Sequence, residues 1–167
     1  SSGATLTKQG AGTLTLSGAN TYSGGTNINA GALLVNSSGA LGSAGTLSFG
    51  GGTLQHSASN TTDYSARFST AAGQAYKVDT NSQNVTWANA LTSSGAALNK
   101  AGSGTLTLSG ANTYSGGATV SAGTLKIGVA SVGSVGAMTS GALGTADAIV
   151  LSGGAIDLNG YTLLNGA

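Results

Sequence analysis

Cysteine and glutamate are absent from this chain of 167 residues, and only nine side chains carry a full charge at neutral pH. Without Cys there is no disulfide framework, no thiol nucleophile and no Cys-based zinc site. The cations Lys8, Arg67, Lys77, Lys100 and Lys126 are scattered against four Asp, for a net charge of +1. That balance removes the clustered positive charge on which nucleic-acid and anionic-lipid binding depend, so no nucleic-acid partner is expected. No apolar run approaches the ~20 residues needed to span a bilayer as a helix. No charged stretch followed by an apolar one opens the chain, and it reads as a soluble internal piece of something longer.

The scarcity of acids extends to chemistry. Asp63, Asp79, Asp147 and Asp157 are the whole carboxylate supply, and acid/base catalysis needs two carboxylates held at a defined separation. No such pair is expected, and no catalytic residue is assigned. His56 stands near Ser57 and Asp63, yet no nucleophile elbow surrounds any Ser. Calcium-binding solenoids repeat Gly-Gly-x-Gly-x-Asp, in which the Asp supplies hard oxygen ligands. Gly24-Gly25, Gly50-Gly51-Gly52, Gly116-Gly117 and Gly153-Gly154 give the glycine half of that pattern without the aspartates, so neither a metal nor a cofactor is expected. Gly-rich phosphate loops fail likewise, since no Gly-Lys-Ser or Gly-Lys-Thr occurs.

What the chain has in abundance is Gly, 30 residues of it, together with Ser, Thr and Asn, while 40% of residues are apolar. An apolar content that high at almost zero net charge allows a core. The apolar residues are organised by a duplication. Gly12-Thr13-Leu14-Thr15-Leu16-Ser17-Gly18-Ala19-Asn20-Thr21-Tyr22-Ser23-Gly24-Gly25 returns unchanged from Gly104 to Gly117, and residues 6–35 share 20 of 30 positions with residues 98–127 at an offset of 92. Internal repeats decide architecture.

Within each copy a shorter frame recurs: Gly, then Thr or Ala, then an aliphatic residue, starting at Gly12, Gly31, Gly52, Gly104, Gly123 and Gly154. The period-two alternation in Thr13-Leu14-Thr15-Leu16 is that of a half-buried strand, and no helical stripe appears anywhere. Gly39-Ala40-Leu41-Gly42 resumes as Gly141-Ala142-Leu143-Gly144 at an offset of 102, which marks an insertion near residues 128–137. The underlying step is about twenty residues, the length of a coil in a parallel β-solenoid. The expected fold is therefore all-β: one right-handed parallel β-helix over residues 1–167 with about seven to eight coils. Unit one runs over about 6–97 and unit two over about 98–167. Leu14, Leu33 and Leu54 should form one inward ladder, continued by Leu106, Leu125 and Ile156, all buried.

Residues 56–97 repeat least and hold the only His, the only Arg and the only Trp. They read either as two worn coils or as a bulged loop that contacts a carbohydrate or host ligand near Trp87. Tyr22 and Tyr114 stand at equivalent places beside Ser-Gly-Gly turns, which suits a corner cover with a locally bonded hydroxyl better than a sugar platform. The Thr pairs of an ice-binding plane are interrupted by Leu34, Lys126 and Asp157.

The stretch Leu98-Asn99-Lys100-x-Gly102-x-Gly104 through Gly117, followed by Ala122-Gly123-Thr124-Leu125 and Gly141-Ala142-Leu143-Gly144, resembles the autotransporter-associated β-strand repeat, also called the passenger-associated transport repeat. The copy beginning at Leu6-Thr7-Lys8 resembles it equally. The resemblance implies a right-handed β-helix in the passenger of a type V secreted protein of Gram-negative bacteria, displayed outside the outer membrane and commonly part of an adhesin. It implies a structural stalk that aids passenger transport, with neighbouring repeats of the parent passenger and its own translocator barrel as partners. It carries over no catalytic residue.

Overall fold

The computed structural model describes residues 3–146 and 148–164; Asp147, one of the four aspartates weighed above, lies outside the described residues. Among the described residues sixteen short strands follow one another: β1 (Leu6–Lys8), β2 (Thr13–Leu16), β3 (Thr26–Ile28), β4 (Ala32–Val35), β5 (Leu47–Phe49), β6 (Thr53–Gln55), β7 (Ala75–Asp79), β8 (Val85–Trp87), β9 (Ala97–Ala101), β10 (Thr105–Leu108), β11 (Ala118–Val120), β12 (Thr124–Ile127), β13 (Val132–Ser134), β14 (Ala137–Ser140), β15 (Ile149–Leu151) and β16 (Ala155–Asp157). The one helical element among them is a 3₁₀ turn at Ser65–Arg67. Every pairing between these strands is parallel except that of the β13–β14 hairpin.

The parallel strands form three sheets wound as a solenoid, in the orders β1-β3-β5, β2-β4-β6-β7-β9-β11-β15 and β8-β10-β12-β16. The longest sheet has seven strands and hence about six turns between its ends, fewer than the seven to eight the spacing predicts. Two stretches account for the shortfall. The loop around Ser65–Arg67 lengthens one turn, since Gln55 pairs with Asp79, 24 residues on. The ten-residue insertion leaves the solenoid altogether as the β13–β14 hairpin.

Local chemistry explains the coil shape. In β10 and β12 the burial alternates, with Leu106, Leu108, Leu125 and Ile127 inside and the Thr and Lys side chains between them outside. Corners need glycine where one turn passes close over another. Gly31 and Gly123 have φ of +63° and +64°, and a Cβ on either would collide with the carbonyl oxygens of Gly10 and Gly12 or of Gly102 and Gly104. Each turn buries its apolar side only against its neighbours. Leu33, Leu54, Leu106 and Leu125 are accordingly fully buried, whereas Leu14 and Ile156, in the outermost turns, are only half-buried.

The inward ladder does not run as the frames suggest. Leu14, Leu33 and Leu54 stack in register, and above Leu54 come Val78, Lys100, Val120 and Leu151. Leu106, Leu125 and Ile156 stack on Val85 in another sheet. The reason is arithmetic. One outward column runs Thr15, Leu34, Gln55, Asp79, Ala101, so four turns consume 86 residues, while the duplication offset is 92. The remaining six residues carry the chain from one face to the next, as from Lys8 in β1 to Leu14 in β2. Unit two is therefore rotated by one face relative to unit one, and each strand of unit two lies over the neighbouring strand type of unit one.

Residues 56–97 make the change of face. Phe68 bridges Leu47 at the end of the first sheet, β7 continues the second sheet, and β8 starts the third. One turn thus touches all three faces. Large rings fill the interior at this level: Phe68 lies edge-on to Phe49 at 4.9 Å and to Trp87 at 4.8 Å, and Tyr76 packs against Phe49 at 5.5 Å. The segment is one specialised turn, where the sequence suggested two worn coils.

Candidate functional site

The residues that could carry chemistry are each absorbed by the scaffold. Trp87 is fully buried among the aromatic rings, so the expectation of a ligand contact at an exposed Trp87 is overturned: alternation along β8 turns Val85 and Trp87 inward and Thr86 outward. Asp63 accepts the backbone N–H of Ser65 at 2.8 Å and that of Ala88 at 2.8 Å. Asp79 accepts the Gln55 amide at 2.7 Å and the Asn81 N–H at 2.8 Å. Asp157 meets Lys126 at 3.5 Å on the surface and accepts the Asn159 N–H at 2.9 Å. Each of the three holds a turn or a neighbouring strand.

His56 is fully buried. Its Nδ1 lies 3.2 Å from the Asn60 carbonyl, which assigns the proton to Nδ1, and its Nε2 has no partner. Burial pushes its pKa below the usual histidine value, partly offset by the Asn60 carbonyl and by Asp63 and Asp79. The ring is a neutral core residue stacked near Tyr64. Asn60 ties the same loop down through its amide to the Ser37 carbonyl and the Tyr64 hydroxyl. Arg67 donates to the carbonyls of Leu41, Gly42, Ala44 and Gly45, clamping the corner of an adjacent turn.

The conspicuous structural sites are the repeated corners. Asn20 donates to the Ala40 carbonyl at 2.7 Å, and Asn112 donates to the Ala142 carbonyl at 2.6 Å. These contacts explain why Gly-Ala-Leu-Gly resumes after the insertion: the chain leaves as a hairpin and returns to the same corner. Tyr22 bonds Thr26 through their hydroxyls at 3.0 Å, as a locally bonded corner cover should. Its counterpart Tyr114 is fully buried with no partner for its hydroxyl, because the position of Thr26 is taken by Ala118.

Lysine supplies a corner that the sequence pattern alone did not bring out. Lys8 and Lys100 occupy the same place in the repeat, and both are buried. The Lys8 ammonium donates to the carbonyls of Gln9, Gly10 and Ala30 at 2.9, 2.7 and 3.0 Å. Lys100 donates to those of Ala101, Gly102 and Ala122 at 3.1, 2.8 and 3.1 Å, and to the Thr80 hydroxyl at 3.2 Å. Each ammonium fills a ring of carbonyls that glycine-rich corners leave pointing inward, where an unmet acceptor is costly. Burial lowers Lys100 to about 8, with Asp79 opposing. The period-two pattern of Leu6-Thr7-Lys8 already put Lys8 on the side of Leu6, so the signal was present.

Comparison with known families matches the passenger-associated-transport-repeat to residues 6–35 and to residues 98–127. No curated protein and no solved structure matches the chain. The two matched stretches are the β1–β4 and β9–β12 pairs of turns, each with its buried lysine, its corner asparagine and its Gly-Gly bend. The chain thus carries the passenger-associated-transport-repeat twice, as two equivalent pairs of turns in one β-solenoid, and fits a segment of an autotransporter passenger.

Proposed function

We propose that the segment is a non-enzymatic stalk in a passenger displayed outside the outer membrane, the extended part of an adhesin, and that its turn-by-turn folding aids export. The supporting observation is the locality of its pairing. Successive columns advance by 19 to 24 residues per turn, and by 31 only across the hairpin. A chain emerging from an outer-membrane barrel can lay down each turn on the one before it, with no contact waiting for a distant partner and no disulfide to form. Each completed turn then opposes backsliding through the barrel. The partners of such a segment are the neighbouring repeats of its passenger and the translocator barrel.

The test is surface display of the passenger that carries this segment, read by antibody on intact cells. Leu106→Asp places an unpaired carboxylate among Val85, Leu125 and the interior, costs several kcal/mol, and is expected to stall display. Deleting residues 6–97 rejoins equivalent sequence at Leu98 and is expected to retain display at reduced yield. Full display by Leu106→Asp would defeat the folding role.

A further inference from the structure

We propose that copies of this chain dock head to tail, the turn made by β15 and β16 of one copy stacking beneath β1 and β2 of the next. The duplication itself shows what kind of surface fits there. In unit two, the turn of β9 and β10 rests on β7 and β8, with Leu98 over Tyr76, Lys100 over Val78, Leu106 over Val85 and Leu108 over Trp87. Leu98, Leu106 and Leu108 are buried there, while Leu6, Leu14 and Leu16, their counterparts in unit one, are only half-buried.

Glycine gives the second, independent observation. A Cβ on Gly104 would collide with the Gln83 backbone, and one on Gly110 would lie 2.6 Å from the Ala90 nitrogen. These two positions are glycine because another turn's backbone passes against them. Gly12 and Gly18 are the same positions in unit one. Neither has positive φ, and a Cβ added to either would meet no atom within 4 Å. Their smallness is unused unless a backbone approaches that edge. Beside them an open cavity of about 350 Å³, bounded by Lys8, Gly10, Gly12 and Leu14, occupies the place that Thr80 and its neighbours fill under Lys100.

The opposite edge offers the matching surface. Leu151 and Leu158 are 54% and 43% exposed, and Ile149 and Ile156 are half-buried. Set beneath β1 and β2, Ile149 and Leu151 take the places of Tyr76 and Val78, and Ile156 and Leu158 those of Val85 and Trp87. Both edges also present unpaired strand backbone, and parallel pairing continues the existing ladders. Because β15 stands over β2 in its own copy but under β1 of the next, successive copies turn by one face. The contact is heterologous and does not close on itself, so it yields linear chains of copies. Such docking is a property of the folded chain in solution and is independent of the export role.

The test uses sedimentation velocity on the full chain over a range of concentrations. Wild type is expected to form a concentration-dependent series of linear oligomers. Gly12→Val should leave the fold intact, since open space surrounds that position, and should remove the oligomers by blocking one edge; Leu151→Lys should remove them by blocking the other. Mixed one to one, the two variants retain one free edge each and should give a dimer and nothing larger. A monomeric wild type would overturn the proposal and reserve these edges for turns contiguous in the same polypeptide. Oligomers that survive in Gly12→Val would also overturn it, pointing instead to lateral association through the exposed β13–β14 hairpin.

Discussion

Tyr22 and Tyr114 are one residue of the repeat in two settings, and the difference between them fixes the outcome of a substitution. The Tyr22 hydroxyl is bonded to Thr26 at 3.0 Å, whereas that of Tyr114 is buried and unbonded next to Ala118. Ala118→Thr should supply the missing partner. A net hydrogen bond contributes about 1 kcal/mol, and an unsatisfied buried group costs about 1–3 kcal/mol. Against this stands the strain of adding two atoms to a packed site, about 1–3 kcal/mol. Ala118→Val adds the same volume without the hydroxyl, so strain cancels between the two variants. The Thr variant should exceed the Val variant by about 1–2 kcal/mol, or roughly 2–8 °C in Tm at about 2–4 °C per kcal/mol for a chain of this size. At an ordinary buried apolar site the order is the reverse, because the hydroxyl is desolvated for nothing. Differential scanning calorimetry of both variants decides it: a Val variant equal to or above the Thr variant would refute the assignment of Thr26 as the partner that Tyr114 has lost.

The other buried groups respond to substitution in their own ways. Trp87→Ala should destabilise the chain by about 3–5 kcal/mol in urea unfolding, as truncation of a core aromatic does, instead of the near-zero change of a surface residue. Lys100→Met leaves the carbonyls of Ala101, Gly102 and Ala122 and the Thr80 hydroxyl without a donor and should cost about 2–3 kcal/mol, against less than about 1 kcal/mol for the exposed Lys126→Met. Because burial holds folded Lys100 at about 8, below its unfolded value, the unfolded chain takes up that proton first as pH falls; wild type should gain stability relative to Lys100→Met as pH rises above about 8. The His56 pKa is likewise lowered on folding, so stability is full above the ordinary histidine value of about 6.5 and falls as pH drops through and below it; in thermal melts at stepped pH, His56→Gln should flatten that acid slope.

The solenoid itself was legible because its strands are built by short-range pattern. Thr-Leu-Thr-Leu alternation and glycine spacing place β2, β4, β10 and β12 without any knowledge of the tertiary fold. The change of face was not legible, since frames that look alike in sequence lie in different sheets, and only the register of Gln55 with Asp79 and of Asp79 with Ala101 reveals the six surplus residues. Trp87 misled because rarity suggested exposure, although its alternation with Thr86 pointed inward. The two lysines look like scattered charge in sequence: their shared role depends on carbonyls brought together by adjacent turns, which no single strand displays. Asn20 and Asn112 are visible as repeated letters, but their acceptors, Ala40 and Ala142, become apparent only once the turns are stacked.

The central claim is that the duplicated unit advances by four turns and one face, and the absence of native Cys makes it directly measurable with introduced pairs. Asp79 and Ala101 are register partners on one face, and Thr86 and Thr107 are partners on the next. Neighbouring strands lie about 4.8 Å apart, inside the range a disulfide bridges. Under mild oxidation, Asp79→Cys/Ala101→Cys and Thr86→Cys/Thr107→Cys should each cross-link, read as a mobility change on non-reducing gels. Asp79→Cys/Thr107→Cys should not. Efficient cross-linking of that last pair, with none in the first two, would place unit two directly in phase with unit one and contradict the account.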